Sequence, residues 1–161
     1  MDHHDQIYID GTWVPSGSSM TIPVINPATE EIIAAIPAGT AGDADRAVTA
    51  ARRAFESWSA IAPAERAKYL TAVGDALATR SDELTELIST EMGMPRKQTA
   101  AFQVDGAVAK VAAYTEAAQG YAWEEPGDGA TVVRQPVGVV AAITPWNVST
   151  LSDERESYSW R

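Results

Sequence analysis

At Thr40 the apolar pattern of this chain switches from strand-like to helix-like spacing, which commits it to a small sheet followed by a layer of helices. Before the switch, residues 7–9 and 12–14 are two strand candidates around Asp10-Gly11, a pair suited to the positive backbone angles of a two-residue hairpin turn. Residues 15–19, Pro-Ser-Gly-Ser-Ser, form a loop. Residues 21–26 are extended, and Pro23, which cannot donate to a ladder, assigns them to a sheet edge. Asn26-Pro27-Ala28-Thr29 is a turn and residues 31–36 are a further strand, so a small antiparallel meander is expected, closed by Pro37-Ala38-Gly39.

After the switch the pattern predicts four helices. Thr40 is a natural N-cap, with Asp43 three residues on and Asp45 in the first turn, where the helix dipole favours negative charge. Val48, Ala51, Phe55 and Trp58 recur at spacings of three and four and share one face. Pro63 suits the first turn of a second helix, with Leu70, Val73 and Leu77 as its expected buried stripe and Arg80 at its C-terminal end. Ser81 is a candidate cap for the third, Leu84, Leu87 and Ile88 face inward, and Gly93 and Pro95 stop it. The fourth is expected over 97–118, with Ala101, Val104, Val108, Val111 and Thr115 inside; much of that stripe is small, which suits close packing on a neighbouring helix. Gly127-Asp128-Gly129 then turns the chain, and residues 131–135 and 137–143 read as strands on either side of Pro136. Residues 148–161 show neither period and are expected to be a poorly ordered tail.

A chain of 161 residues can bury one core. Its net charge of -10 repels phosphate backbones and anionic membrane surfaces, so neither nucleic acid nor membrane is an expected partner. Cysteine is absent, which removes disulfides, thiolate metal sites and a cysteine nucleophile. The longest apolar run, 137–143, is far too short to span a bilayer, and the polar start of the chain is unlike a signal peptide, so a cytoplasmic protein is expected. The two histidines, His3 and His4, sit between Asp2 and Asp5 at one terminus, and no metal site is expected there. Gly127-Asp128-Gly129 is no dinucleotide fingerprint, because a third glycine and a following helix are missing.

The order of strands, helices, hairpin and strand, ending in Pro145-Trp146-Asn147, resembles the N-terminal region of the aldehyde dehydrogenase superfamily over residues 7–147. Tyr8-Ile9-Asp10-Gly11-Thr12-Trp13 is similar to its opening strand, and Ile25-Asn26-Pro27-Ala28-Thr29-Glu30 to its second signature. Asp45-Arg46-Ala47-Val48 with Ala54-Phe55 and Trp58 resembles its first helix, and Glu91-Met92-Gly93 with Pro95 the stop of its third. The resemblance implies an α/β fold: the N-terminal part of a Rossmann-like cofactor domain over 1–147, a small antiparallel β meander then four helices then strands. Residues 129–135 would form part of an oligomerisation arm that pairs with another subunit of a homo-oligomer. It also implies oxidation of an aldehyde to a carboxylic acid with NAD or NADP as cofactor.

In that family the backbone of Ile143 and Thr144, with Pro145 and Trp146, would border the cofactor. Asn147 would donate its side-chain NH2 to an oxyanion, a contribution typically worth about 2.7–4 kcal/mol in the transition state. The family pattern stops at Asn147: Val148-Ser149-Thr150-Leu151 lacks the proline and the amphipathic run that follow it elsewhere. The glutamate base and the cysteine nucleophile are missing too. The expectation is a truncated member, inactive alone; the alternative is a non-catalytic fragment that associates with full-length subunits.

Overall fold

The computed structural model describes residues 2–3 and 5–147; the expected tail at 148–161 lies outside the described residues, as does His4. The strands are β1 (Asp2–His3), β2 (Gln6–Ile9), β3 (Thr12–Pro15), β4 (Thr21–Ile25) and β5 (Ile32–Pro37). Helices α1 (Ala41–Ala60), α2 (Pro63–Thr79) and α3 (Ser81–Met92) follow. A long interrupted helix comes next, made of α4 (Arg96–Gln98), a π-helical stretch (Thr99–Asp105) and α5 (Gly106–Gly120). A last hairpin, β6 (Glu124–Gly127) and β7 (Ala130–Val133), leads into residues 134–147.

The first forty residues make two sheets rather than one meander. Asp10 (φ 55°) and Gly11 (φ 76°) turn β2 into β3 with Ile9 opposite Thr12, and Tyr8 and Trp13 meet edge to face at 5.2 Å. The second sheet has the order β1-β5-β4, with β1 parallel to β5 and β4 antiparallel to it. The separation follows from the Ser16–Gly17 loop, which is drawn away to the start of α1. Pro23 lies on edge strand β4, as its missing N–H requires.

Asp43 is the joint between sheets and helices. It closes a capping box with Thr40: Asp43 N donates to Thr40 Oγ1 (3.1 Å) and Thr40 N to Asp43 Oδ2 (2.9 Å). The same buried carboxylate accepts from Ser16 Oγ (2.8 Å), Gly17 N (3.0 Å) and Arg46 Nη2 (2.6 Å). At the far end of the bundle, Gly93 ends α3 in the left-handed region (φ 71°) and gives its N–H to Ser89 O. A Cβ there would stand 2.7 Å from Pro27 Cγ, so the glycine serves both the turn and the close approach of the β4–β5 turn.

The buried faces differ from those expected on four helices. Helix α2 buries Ala67 and sets Gly74 against Val111 of α5, where a Cβ would lie 3.3 Å from Val111 Cγ1; Leu70 and Val73 are exposed. Small residues permit the close α2–α5 crossing, and that selects the small face over the large one. On α3, Ile88 and Thr85 are buried while Leu87 is exposed, and Ser81 is the first helical residue rather than the cap, because Arg80 alone links α2 to α3. On the interrupted helix, Thr99, Gln103, Val104, Ala107 and Val111 are buried, whereas Ala101 is exposed. The i→i+5 bonding of the π stretch fits one extra residue into the turn and displaces the face expected of an unbroken α-helix. Val48 and Ala51, on the expected inner face of α1, are exposed too, and Ala50 is buried instead.

Candidate functional site

Residues 136–147 do not form the strand expected over 137–143: they pass α1 as irregular chain and, among the described residues, pair with no strand. A parallel strand is stable only when neighbours take up its backbone donors and acceptors, and among the described residues none lies alongside. Gly138–Ala141 instead lines an open groove of about 370 Å³ with Val48, Arg52 and Phe55 of α1. Of the apolar face expected of α1, Val48 and Phe55 border this groove, opposite an irregular segment.

The segment begins at a clamped hairpin base. Arg134 N donates to Trp123 O (2.9 Å) and Arg134 Nη1 to Ala122 O (3.0 Å), while its guanidinium lies 5.3 Å from the centroid of Tyr121 and pairs with Glu125 (3.1 Å). Trp123 in turn donates Nε1–H to Ala118 O (3.1 Å) and receives the Arg66 guanidinium over its ring at 5.9 Å. The sequence reading found the turn at Gly127-Asp128-Gly129 but not this clamp, whose arginines carry no positional signal.

At the other end, Ile143 and Trp146 are 83% and 84% exposed, and Trp146 and Asn147 form a turn. The Asn147 carbonyl accepts from Gln103 Nε2 at 3.1 Å. Gln103 is 2% exposed, and its Oε1 is buried without a hydrogen-bond partner among the described residues. Sequence reasoning missed Gln103, a polar residue inside a stripe read as apolar and small. Of the residues expected to serve the site, Ile143, Thr144, Pro145, Trp146 and Asn147 are contiguous on one exposed corner. An open apolar edge with a free indole fits the flat ring of a nicotinamide. For a pyrophosphate, the described residues hold no glycine-rich turn opening a helix, so the fit covers only that end of a dinucleotide.

Among the described residues no group of three or more acidic or histidine side chains could hold a metal ion. No helix among them is long and apolar enough to cross a membrane.

Residues 13–152 match the model of the aldehyde dehydrogenase family. The 3-succinoylsemialdehyde-pyridine dehydrogenase of Pseudomonas sp is 38% identical over 148 residues, covering 91% of this chain and 31% of that protein. A mutant aldehyde dehydrogenase C of Pseudomonas syringae, solved with NAD+ and octanal, superposes with a TM-score of 0.90 at 36% identity, covering 97% of this chain and 33% of that one. The aldehyde dehydrogenase of Mycobacterium tuberculosis, solved with NAD+, gives a TM-score of 0.87 at 36% identity over 92% of this chain and 32% of that one. The chain spans about 31% of the length of the curated relatives it matches.

Proposed function

Because this chain belongs to the aldehyde dehydrogenase family, we propose that its Pro145-Trp146-Asn147 corner is one wall of a site that oxidises an aldehyde to a carboxylic acid with NAD(P)+. Asn147 supplies the oxyanion donor. Ile143, Thr144, Pro145 and Trp146 border the nicotinamide, which accepts the hydride. The observation that carries this reading is the corner itself: an exposed indole and the Asn side chain share one turn whose backbone is tied to the buried Gln103. A polypeptide of these 161 residues holds no thiolate, so it forms no thiohemiacetal and by itself oxidises no aldehyde. The cytoplasm is the proposed location.

The test joins residues 1–147 to the remaining sequence of the unmutated, cysteine-bearing Pseudomonas syringae enzyme. NADH formation by that chimaera, and loss of about 10²–10³-fold in kcat on Asn147→Ala, are expected. Equal kcat in the two proteins would remove Asn147 from the chemistry. NADH produced from an aldehyde by the purified 161-residue chain would overturn its inactivity.

A second reading has its own observation. The β6–β7 hairpin is exposed along both strands, including Val132 and Val133, and its edges, unpaired among the described residues, can take up another strand. On this reading the chain is a non-catalytic partner of full-length subunits, with the region 129–135 as the contact. Co-migration with a full-length relative in size-exclusion chromatography supports it, and separate elution dismisses it.

A further inference from the structure

The π-helical stretch, the buried Gln103 and the exposed corner meet at one hydrogen bond. We propose that Gln103 is the positioning residue of Asn147: its carboxamide, carried inward by the π-turn, holds the Asn147 backbone carbonyl and so sets where the Asn147 side chain is presented. The proposal rests on the reading of Asn147 as an oxyanion donor.

Three observations lead to it. First, among the described residues the one hydrogen bond between residues 136–147 and the helices is Gln103 Nε2 to Asn147 O, at 3.1 Å. Among the described residues, the rest of that segment has no ladder to hold it. Second, the amide has a fixed sense. Asn147 offers a carbonyl, which needs a donor, so the NH2 faces the corner and Oε1 faces away; the reverse would set two acceptors against each other. Third, Oε1 is then left buried and unpartnered among the described residues. A half-satisfied buried amide is a poor choice for packing, because the unpaired acceptor has lost its water and a leucine or methionine would fill the space without that penalty. Stability therefore does not account for the carboxamide, whereas its grip on the corner does. The leverage is large because the bond acts on the carbonyl next to the Asn147 Cα. A donor that stabilises an oxyanion has to sit within about 0.5 Å of its productive place.

The test uses the 161-residue chain labelled with 15N, comparing wild type with Gln103→Met, which keeps the volume and removes both polar atoms. The melting temperature is expected to stay within about 3 °C of wild type or rise. Backbone order parameters at Trp146 and Asn147 should fall from about 0.8 to below about 0.6. Val104→Ala, a cavity in the same turn with no bond to the corner, is the control. Order at Trp146 and Asn147 that survives Gln103→Met overturns the proposal, and so does equal loosening in Val104→Ala. These readouts involve no turnover, so they fail independently of the Asn147 reading, which stands or falls on Asn147→Ala in the chimaera. In that chimaera Gln103→Met should lower kcat roughly 10²-fold while leaving KM for the aldehyde within about threefold.

Discussion

Asp43 shows how much a single side chain organises here. The backbone N–H of Thr40 foremost, then the Ser16 hydroxyl and the Arg46 guanidinium, hold its carboxyl well below the ordinary aspartate value of 3.8. The folded chain therefore resists protonation that the unfolded chain accepts. Below about pH 4 the unfolded state binds the extra proton, and the contribution of Asp43 drains away as pH falls further. Wild type should melt above Asp43→Asn from neutral pH down to about 5, and the gap should close progressively toward about pH 2. Melting curves of both proteins across that range check it, and a gap independent of pH would show that the charge contributes nothing. The capping half of this arrangement was legible in Thr40 and Asp43. The other half was not, because Ser16 and Gly17 carry no mark that ties them to a helix so far along the chain.

Among the elements, the contact between α2 and α5 decides which face of each helix is inside. Spacing alone made Leu70, Val73 and Leu77 as good an inner stripe as any, yet α2 buries Ala67 and sets Gly74 against Val111 of α5, where the backbones can approach. Gly74→Leu should therefore destabilise the chain by about 1–3 kcal/mol, as overpacking does, although leucine is the better helix former. Urea unfolding measures it; a gain in stability would mean that the helices can slide apart at no cost. Local signals were read correctly where the chemistry is local: the Asp10-Gly11 hairpin, Pro23 on an edge, Gly93 at a helix end. Two features were illegible for a definite reason. A π-turn leaves no trace in apolar period, so the inner face of the fourth helix was misplaced at Ala101. A strand depends on its neighbours, so the apolar run 137–143 looked like β structure although among the described residues no strand pairs with it.

For the molecule as a whole the balance of buried and exposed apolar groups is unusual. Among the described residues the buried apolar side chains are Ala50, Ala67, Ile88, Val104, Ala107 and Val111, half of them alanines. Tyr69, Leu70 and Val73 on α2, Val132 and Val133 on the hairpin, and Val137, Ile143 and Trp146 beyond it are all exposed. Such surface favours association over a monomer with a tight core. The purified chain should sediment as a concentration-dependent mixture and melt broadly, which analytical ultracentrifugation and circular dichroism can check. A monodisperse monomer with a sharp transition would contradict this. The residues proposed for the site are contiguous in sequence and lie on one exposed corner, whereas the hydrogen bond from Gln103 to Asn147 emerged only in three dimensions. The contact of Gly93 with Pro27 has a consequence for descent. A side chain added at 93 would strike the ring at 27. Position 93 therefore cannot gain a side chain while proline stands at 27, and related sequences that carry a larger residue at 93 should have lost the proline.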